Sequence, residues 1–119
     1  MRTIFILIFF FTTTCYSQSC KQLPESFSSY NTAISRIGNS SFAYMDVANT
    51  SRSSWITSAE YYSCDGKTGY LIYSTNKGYT YIHKGIPLEI WDALKNATSI
   101  GSYYDSHIKG RYRLTLTPP

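Results

Sequence analysis

The sequence predicts an α+β domain: an antiparallel meander of three to four strands, with one helix before it and two after it. Three observations carry this expectation. Period-two alternation recurs between residues 55 and 83 and is broken twice by short glycine-containing turns. Apolar residues at helical spacing flank that region, at 27–37 on one side and 91–108 on the other. Aromatic residues make up 17% of the 119 residues against 15% charged, which is enough apolar surface for one small core. That balance excludes a disordered, collagen-like or coiled-coil chain.

The first element is a leader rather than part of the fold. Met1-Arg2 supplies a charged start, Ile4 to Phe11 run without a polar residue, and Thr12-Thr13-Thr14-Cys15-Tyr16-Ser17-Gln18-Ser19 forms a small-residue exit. This is the layout of a secretory signal peptide over 1–19, with cleavage after Ser17 or after Ser19. The apolar run is far short of the roughly 20 residues that span a bilayer, so no membrane span is expected once it is removed. A periplasmic or secreted protein is the expectation, and lipid anchoring through Cys15 is the lesser alternative. Loss of Arg2 takes Lys+Arg from 11 to 10 against 7 acidic residues, leaving +3. Charge that mild does not by itself make a nucleic-acid binder. Cys20 and Cys64 survive cleavage, and in an oxidising compartment they are expected to form one disulfide.

Residues 20–52 read as an N-terminal helix and strand extension. Pro24 and Glu25 suit a first helical turn, and Phe27, Tyr30, Ile34 and Ile37 form one apolar stripe before Gly38-Asn39 stops it. Residues 41–47 alternate as a short strand. The main domain follows over 53–114. Its first strand, 55–62, sets Trp55, Thr57, Ala59 and Tyr61 on one face and Ile56, Ser58, Glu60 and Tyr62 on the other. Asp65-Gly66 turns the chain into 69–75, where Tyr70 and Ile72 face away from Leu71 and Tyr73. Asn76-Lys77-Gly78 turns it again into 79–83. Pro87 then opens a helix with Glu89 in its first turn and Trp91 and Leu94 on its stripe. Ser99 to Gly101 break it, and a second short helix runs to Gly110. Residues 112–114 are a candidate edge strand, and 115–119 a frayed tail. These patterns place Trp55, Ile72, Trp91, Leu94 and Tyr103 in one core.

Several short motifs stand in a fixed order along this region. They are Tyr79-Thr80-Tyr81, the Ile86-Pro87 step into a helix with Trp91 and Leu94, and a closing run of Ser99, Gly101, Tyr103, Tyr104, Ile108 and Lys109, with Tyr112 beyond. In this order and spacing the chain resembles the KTSC domain family, named for its occurrence at the C-terminus of some lysyl-tRNA synthetases. It is similar in particular to the small exported, stand-alone members of the Bacteroidetes type. Asp105 stands where the family usually has Asn. The resemblance implies a domain of unsettled role, with RNA binding suggested by the synthetase context.

Among residues that could carry function, Tyr79 and Tyr81 share a strand face with Tyr73 close by on the neighbouring strand. Such rings either pack beneath the helices or stay exposed and stack on bases, sugars or peptide groups. His107, Lys109, Arg111 and Arg113 form the one basic cluster, which is either a phosphate-binding patch or a solvated tail. The expected function is therefore non-enzymatic binding of a protein or glycan. RNA or single-stranded nucleic-acid binding through Tyr79, Tyr81, Lys109, Arg111 and Arg113 is the alternative, disfavoured by export and by the mild charge. A metal-independent nuclease using His83 and His107 is the remote third reading, because acid–base cleavage needs two groups converging on one substrate. No metal-ligand spacing, phosphate loop or dinucleotide fingerprint is present, so no cofactor is expected.

Overall fold

The computed structural model describes residues 18–118; residues 1–17, which hold most of the expected signal peptide and Cys15, lie outside them. The chain builds β1 (Gln18–Ser19), a single 3-10 turn (Cys20–Gln22), α1 (Tyr30–Gly38), β2 (Ser40–Ser41), β3 (Tyr44–Val47), β4 (Ile56–Ser63), β5 (Thr68–Thr75), β6 (Thr80–Pro87), α2 (Leu88–Lys95) and α3 (Ile100–His107). Strands β3, β4, β5 and β6 form an antiparallel meander in chain order, and β1 pairs with β2 in a separate parallel pair. The expected α+β class, strand count and helix placement are all present.

Both faces of the meander are covered, which divides the core in two. On one face Ala59, Tyr61, Leu71, Tyr73 and Ile86 meet Trp91 and Leu94 of α2 and Ile100 and Tyr104 of α3. On the other, Ile82 meets Phe27, Leu114 and the Ala33 and Ile37 side of α1. Trp91 and Leu94 are buried and Trp55 and Tyr103 pack against the same cluster, but Ile72 lies on the opposite face. The expectation of one core including Ile72 is thus corrected by the strand alternation itself, since Leu71 and Tyr73 claim the α2–α3 face.

Two irregularities set which side chains reach that face. In β4 the register shifts between Ile56 and Ser58, leaving Thr57 as an exposed extra residue. The bulge moves Ile56 onto the face of Ala59 and Tyr61, not the face strict alternation assigned to it. In β6 the strand continues past His83 to Pro87, with Gly85 at φ 75° opposite a register shift between Gly69 and Leu71. That left-handed residue lets Ile86 turn back into the core that holds His83.

The helix expected from Pro24 instead starts at Tyr30. Ser29 caps it, its Oγ accepting from the Thr32 amide at 3.1 Å. Phe27 cannot be helical, because its amide donates to Thr115 O at 3.0 Å and its carbonyl accepts from Thr117 N at 2.7 Å. The same pairing corrects two further expectations. Residues 112–114 form no edge strand, and residues 115–117 are not frayed but tied to Phe27, with Ser26 and Thr117 hydroxyls 2.8 Å apart. At the far end of the sheet, Cys20 and Cys64 form the expected disulfide, Cα to Cα 5.8 Å. Helix α2 is fixed by Asp46 of β3, whose carboxylate accepts from Trp91 Nε1 at 2.9 Å and Lys95 Nζ at 2.7 Å. The Lys95 bond, more than any other, holds the Asp46 carboxyl below the usual carboxylate range. No helix among the described residues is long and apolar enough to cross a membrane.

Candidate functional site: an aromatic groove beside the last strand

The start of β6 carries Tyr81 and His83 on the α2–α3 face, opposite Tyr73 and Leu71 of β5. Tyr73 is 5% exposed and stacks under Tyr81, with centroids 5.2 Å apart and planes at 26°. Tyr81 is 39% exposed, and Tyr79 tilts against it at 6.4 Å and is 60% exposed. Trp55 closes one side, edge-on to both Tyr73 and Tyr104. Tyr30, turned out of the α1 stripe, contributes from the other side of the sheet. Together they line a cavity of about 570 Å³ whose polar residues include Asn76, Lys77, Asp105 and Lys109. A volume in the range of small-ligand sites, with aromatic walls and few polar groups, has the composition of a binding cleft.

Under the rings runs a closed hydrogen-bond chain. His83 Nδ1 lies 2.6 Å from the Tyr112 carbonyl, so this nitrogen carries the proton and donates. Its Nε2 therefore accepts, from the Tyr104 hydroxyl at 2.9 Å. Tyr104 in turn accepts from the Tyr73 hydroxyl at 2.7 Å. Burial pushes the Tyr73 and Tyr104 phenols up, and it pushes the His83 imidazole down against the opposing pull of its bond to Tyr112. All three are neutral at neutral pH, and each polar atom in the chain is already engaged. The groove floor thus offers ring surface rather than a free base or nucleophile.

Of the residues singled out by sequence, Tyr79, Tyr81 and Lys109 come together in this groove. His107, Arg111 and Arg113 are exposed but are not among its lining residues. His107 stacks on Tyr103 with centroids 4.2 Å apart, and its Nδ1 faces the Tyr103 carbonyl at 3.3 Å. His83, its expected partner in acid–base chemistry, has both nitrogens bound elsewhere. The sequence reading missed Trp55, Tyr30, Asn76, Lys77, Tyr104 and Asp105 as groove residues. For Tyr104 a signal was available: an aromatic four residues before Ile108, in a helix that must pack on the Tyr73 face.

The motif residues that carried the resemblance have structural reasons. Ser99 caps α3, accepting from the Ser102 amide at 3.3 Å. Gly101 sits against the Trp55 indole so closely that any Cβ would collide with it. The Ile86 carbonyl accepts from Tyr61, whose ring stacks on Trp91 at 5.2 Å, and Pro87 is the N-cap of α2. Tyr79 and Tyr81 are, with Tyr30, exposed rings of the groove. No curated protein matches the chain. A family model described as the KTSC domain matches residues 52–112, more than half of the chain, and the chain belongs to that family.

Proposed function

We propose that this protein is an exported, non-enzymatic binding module whose ligand lies in the groove of Tyr79, Tyr81, Tyr73 and Trp55. The observation that carries the reading is the contrast between outer and inner rings. Tyr79 and Tyr81 leave aromatic surface exposed, while the hydroxyls and imidazole beneath them are spent on one another. Two neighbouring exposed rings, one in the turn before β6 and one on its first residues, offer large contact area at low entropy. The Cys20–Cys64 disulfide agrees with an oxidising compartment.

The division of the basic cluster weighs against nucleic acid. Only Lys109 of that cluster lines the groove, whereas stacking and phosphate contacts must act on the same strand. The test is amide chemical-shift mapping of the disulfide-bonded protein against separate panels of oligosaccharides, short peptides and single-stranded RNA. The expected result is shifts confined to the groove with the added compound recovered unchanged. Shifts located only elsewhere would refute the site, and conversion of the compound would refute the non-enzymatic reading.

A further inference from the structure

We infer that the groove recognises a carbohydrate, one or more pyranose rings seated on Tyr81 and Tyr79; the inference rests on the groove being the binding site. The stack Tyr73–Tyr81–Tyr79 leaves its outermost rings uncovered. The face of a phenol ring carries the negative end of its quadrupole and attracts polarised C–H groups or cations. A pyranose offers such a C–H face and surrounds it with hydroxyls that must both donate and accept hydrogen bonds.

The polar residues of the groove supply both functions. Lys77 and Lys109 donate and Asp105 accepts. Asn76 uses its amide nitrogen on the Ser54 carbonyl at 3.3 Å and keeps its amide oxygen as an acceptor. Two lysines against one aspartate give the groove a net charge of only +1, so its donors and acceptor serve the hydroxyls of an uncharged polyol rather than a run of phosphates. An aromatic peptide side chain would stack equally well, but its ring brings at most one polar group, against the several hydroxyls around a pyranose. It would strip water from Asn76, Lys77, Asp105 and Lys109 and return fewer hydrogen bonds around the stacked ring than a polyol does. A nucleotide has polar edges but adds a negative charge per residue, and Arg111 and Arg113 are not there to meet it. The inner hydroxyls of Tyr73 and Tyr104 are closed to the ligand, so specificity comes from the rim.

The experiment probes an immobilised array of neutral and acidic oligosaccharides with the disulfide-bonded protein, followed by calorimetric titration of the best neutral hit. Expected is binding that falls at least about tenfold for Tyr81→Ala, as for a central aromatic anchor, and several-fold for Asp105→Asn. Tyr79→Ala, at an exposed ring, keeps the wild-type melting temperature and still weakens binding, which separates contact from folding. A tryptophan-containing tetrapeptide and an oligouridylate run in parallel, read by groove amide shifts. If either occupies the groove while no saccharide binds, the carbohydrate assignment is overturned and the binding site stands. If nothing perturbs the groove, both fail.

Discussion

His83 is the residue where burial and function meet most closely. Its imidazole is enclosed between Tyr73, Tyr104 and the Tyr112 carbonyl, and burial holds its pKa below the ordinary 6.5. As pH falls through that ordinary value, the unfolded chain takes up the proton first. The fold then loses stability from about pH 6.5 down to the depressed folded pKa, by at most about 1.4 kcal/mol per pH unit for one proton. Melting temperatures between pH 7 and pH 5 should therefore slope downward, and His83→Phe should flatten that slope. An equal slope in the variant would show that the proton is taken up elsewhere. At this scale the sequence was legible in part: Tyr79 and Tyr81 could be proposed as contact residues because they share a strand face with Tyr73 close by, while their exposure was left open. It was not legible for His83 or Trp55. Their roles depend on α3 crossing over β5 and β6, and no local pattern encodes that crossing. His107, Arg111 and Arg113 looked like partners of Lys109 by sequence proximity, but the end of α3 and the turn at Gly110 (φ 78°) leave them off the groove.

The elements were readable wherever period and turn chemistry agree. Asp65-Gly66 and Asn76-Lys77-Gly78 fix β4, β5 and β6, because Gly66 and Gly78 adopt φ 74° and 85° as their turns require. The bulges at Thr57 and Gly85 were not readable, since each is invisible until a partner strand sets the register. The start of α1 was misplaced for a similar reason. Pro24 is a legitimate helix opener, but the backbone of Phe27 is claimed by residues 115–117, ninety positions away in effect and silent in the local sequence. The disulfide works across elements in the same way. It joins the turn before α1 to the turn after β4 over a separation of 44 residues, and closing such a loop removes about 4 kcal/mol of unfolded-state entropy. Cys20→Ser with Cys64→Ser should cost about 2–4 kcal/mol in urea unfolding. Hydrogen exchange in the β1–β2 pair should rise before exchange in the meander. Equal protection of both regions in the double variant would mean that the bridge does not anchor the N-terminal segment.

For the whole molecule, the proposed export turns on how the folded domain relates to the expected signal peptide. The sequence leaves two cleavage positions, after Ser17 and after Ser19, with equally small residues around them. The fold distinguishes them. Gln18 and Ser19 pair in parallel with Ser40 and Ser41, and Ser19 Oγ accepts from the Lys21 amide at 3.3 Å to cap the turn that presents Cys20. Cleavage after Ser19 would delete β1 and that cap and put a free α-ammonium on the disulfide cysteine itself. Cleavage after Ser17 keeps both and makes Gln18, the first residue of β1, the new terminus. Expression of the full chain in a bacterium with an export pathway should therefore yield a periplasmic or secreted product whose intact non-reduced mass corresponds to residues 18–119 with one disulfide. A product beginning at Cys20 would show that β1 is dispensable, and one retaining Met1 would remove the case for export. A product carrying lipid on Cys15 would place the groove at a membrane surface, where an exposed Tyr79–Tyr81 face would meet ligands on the envelope rather than in free solution.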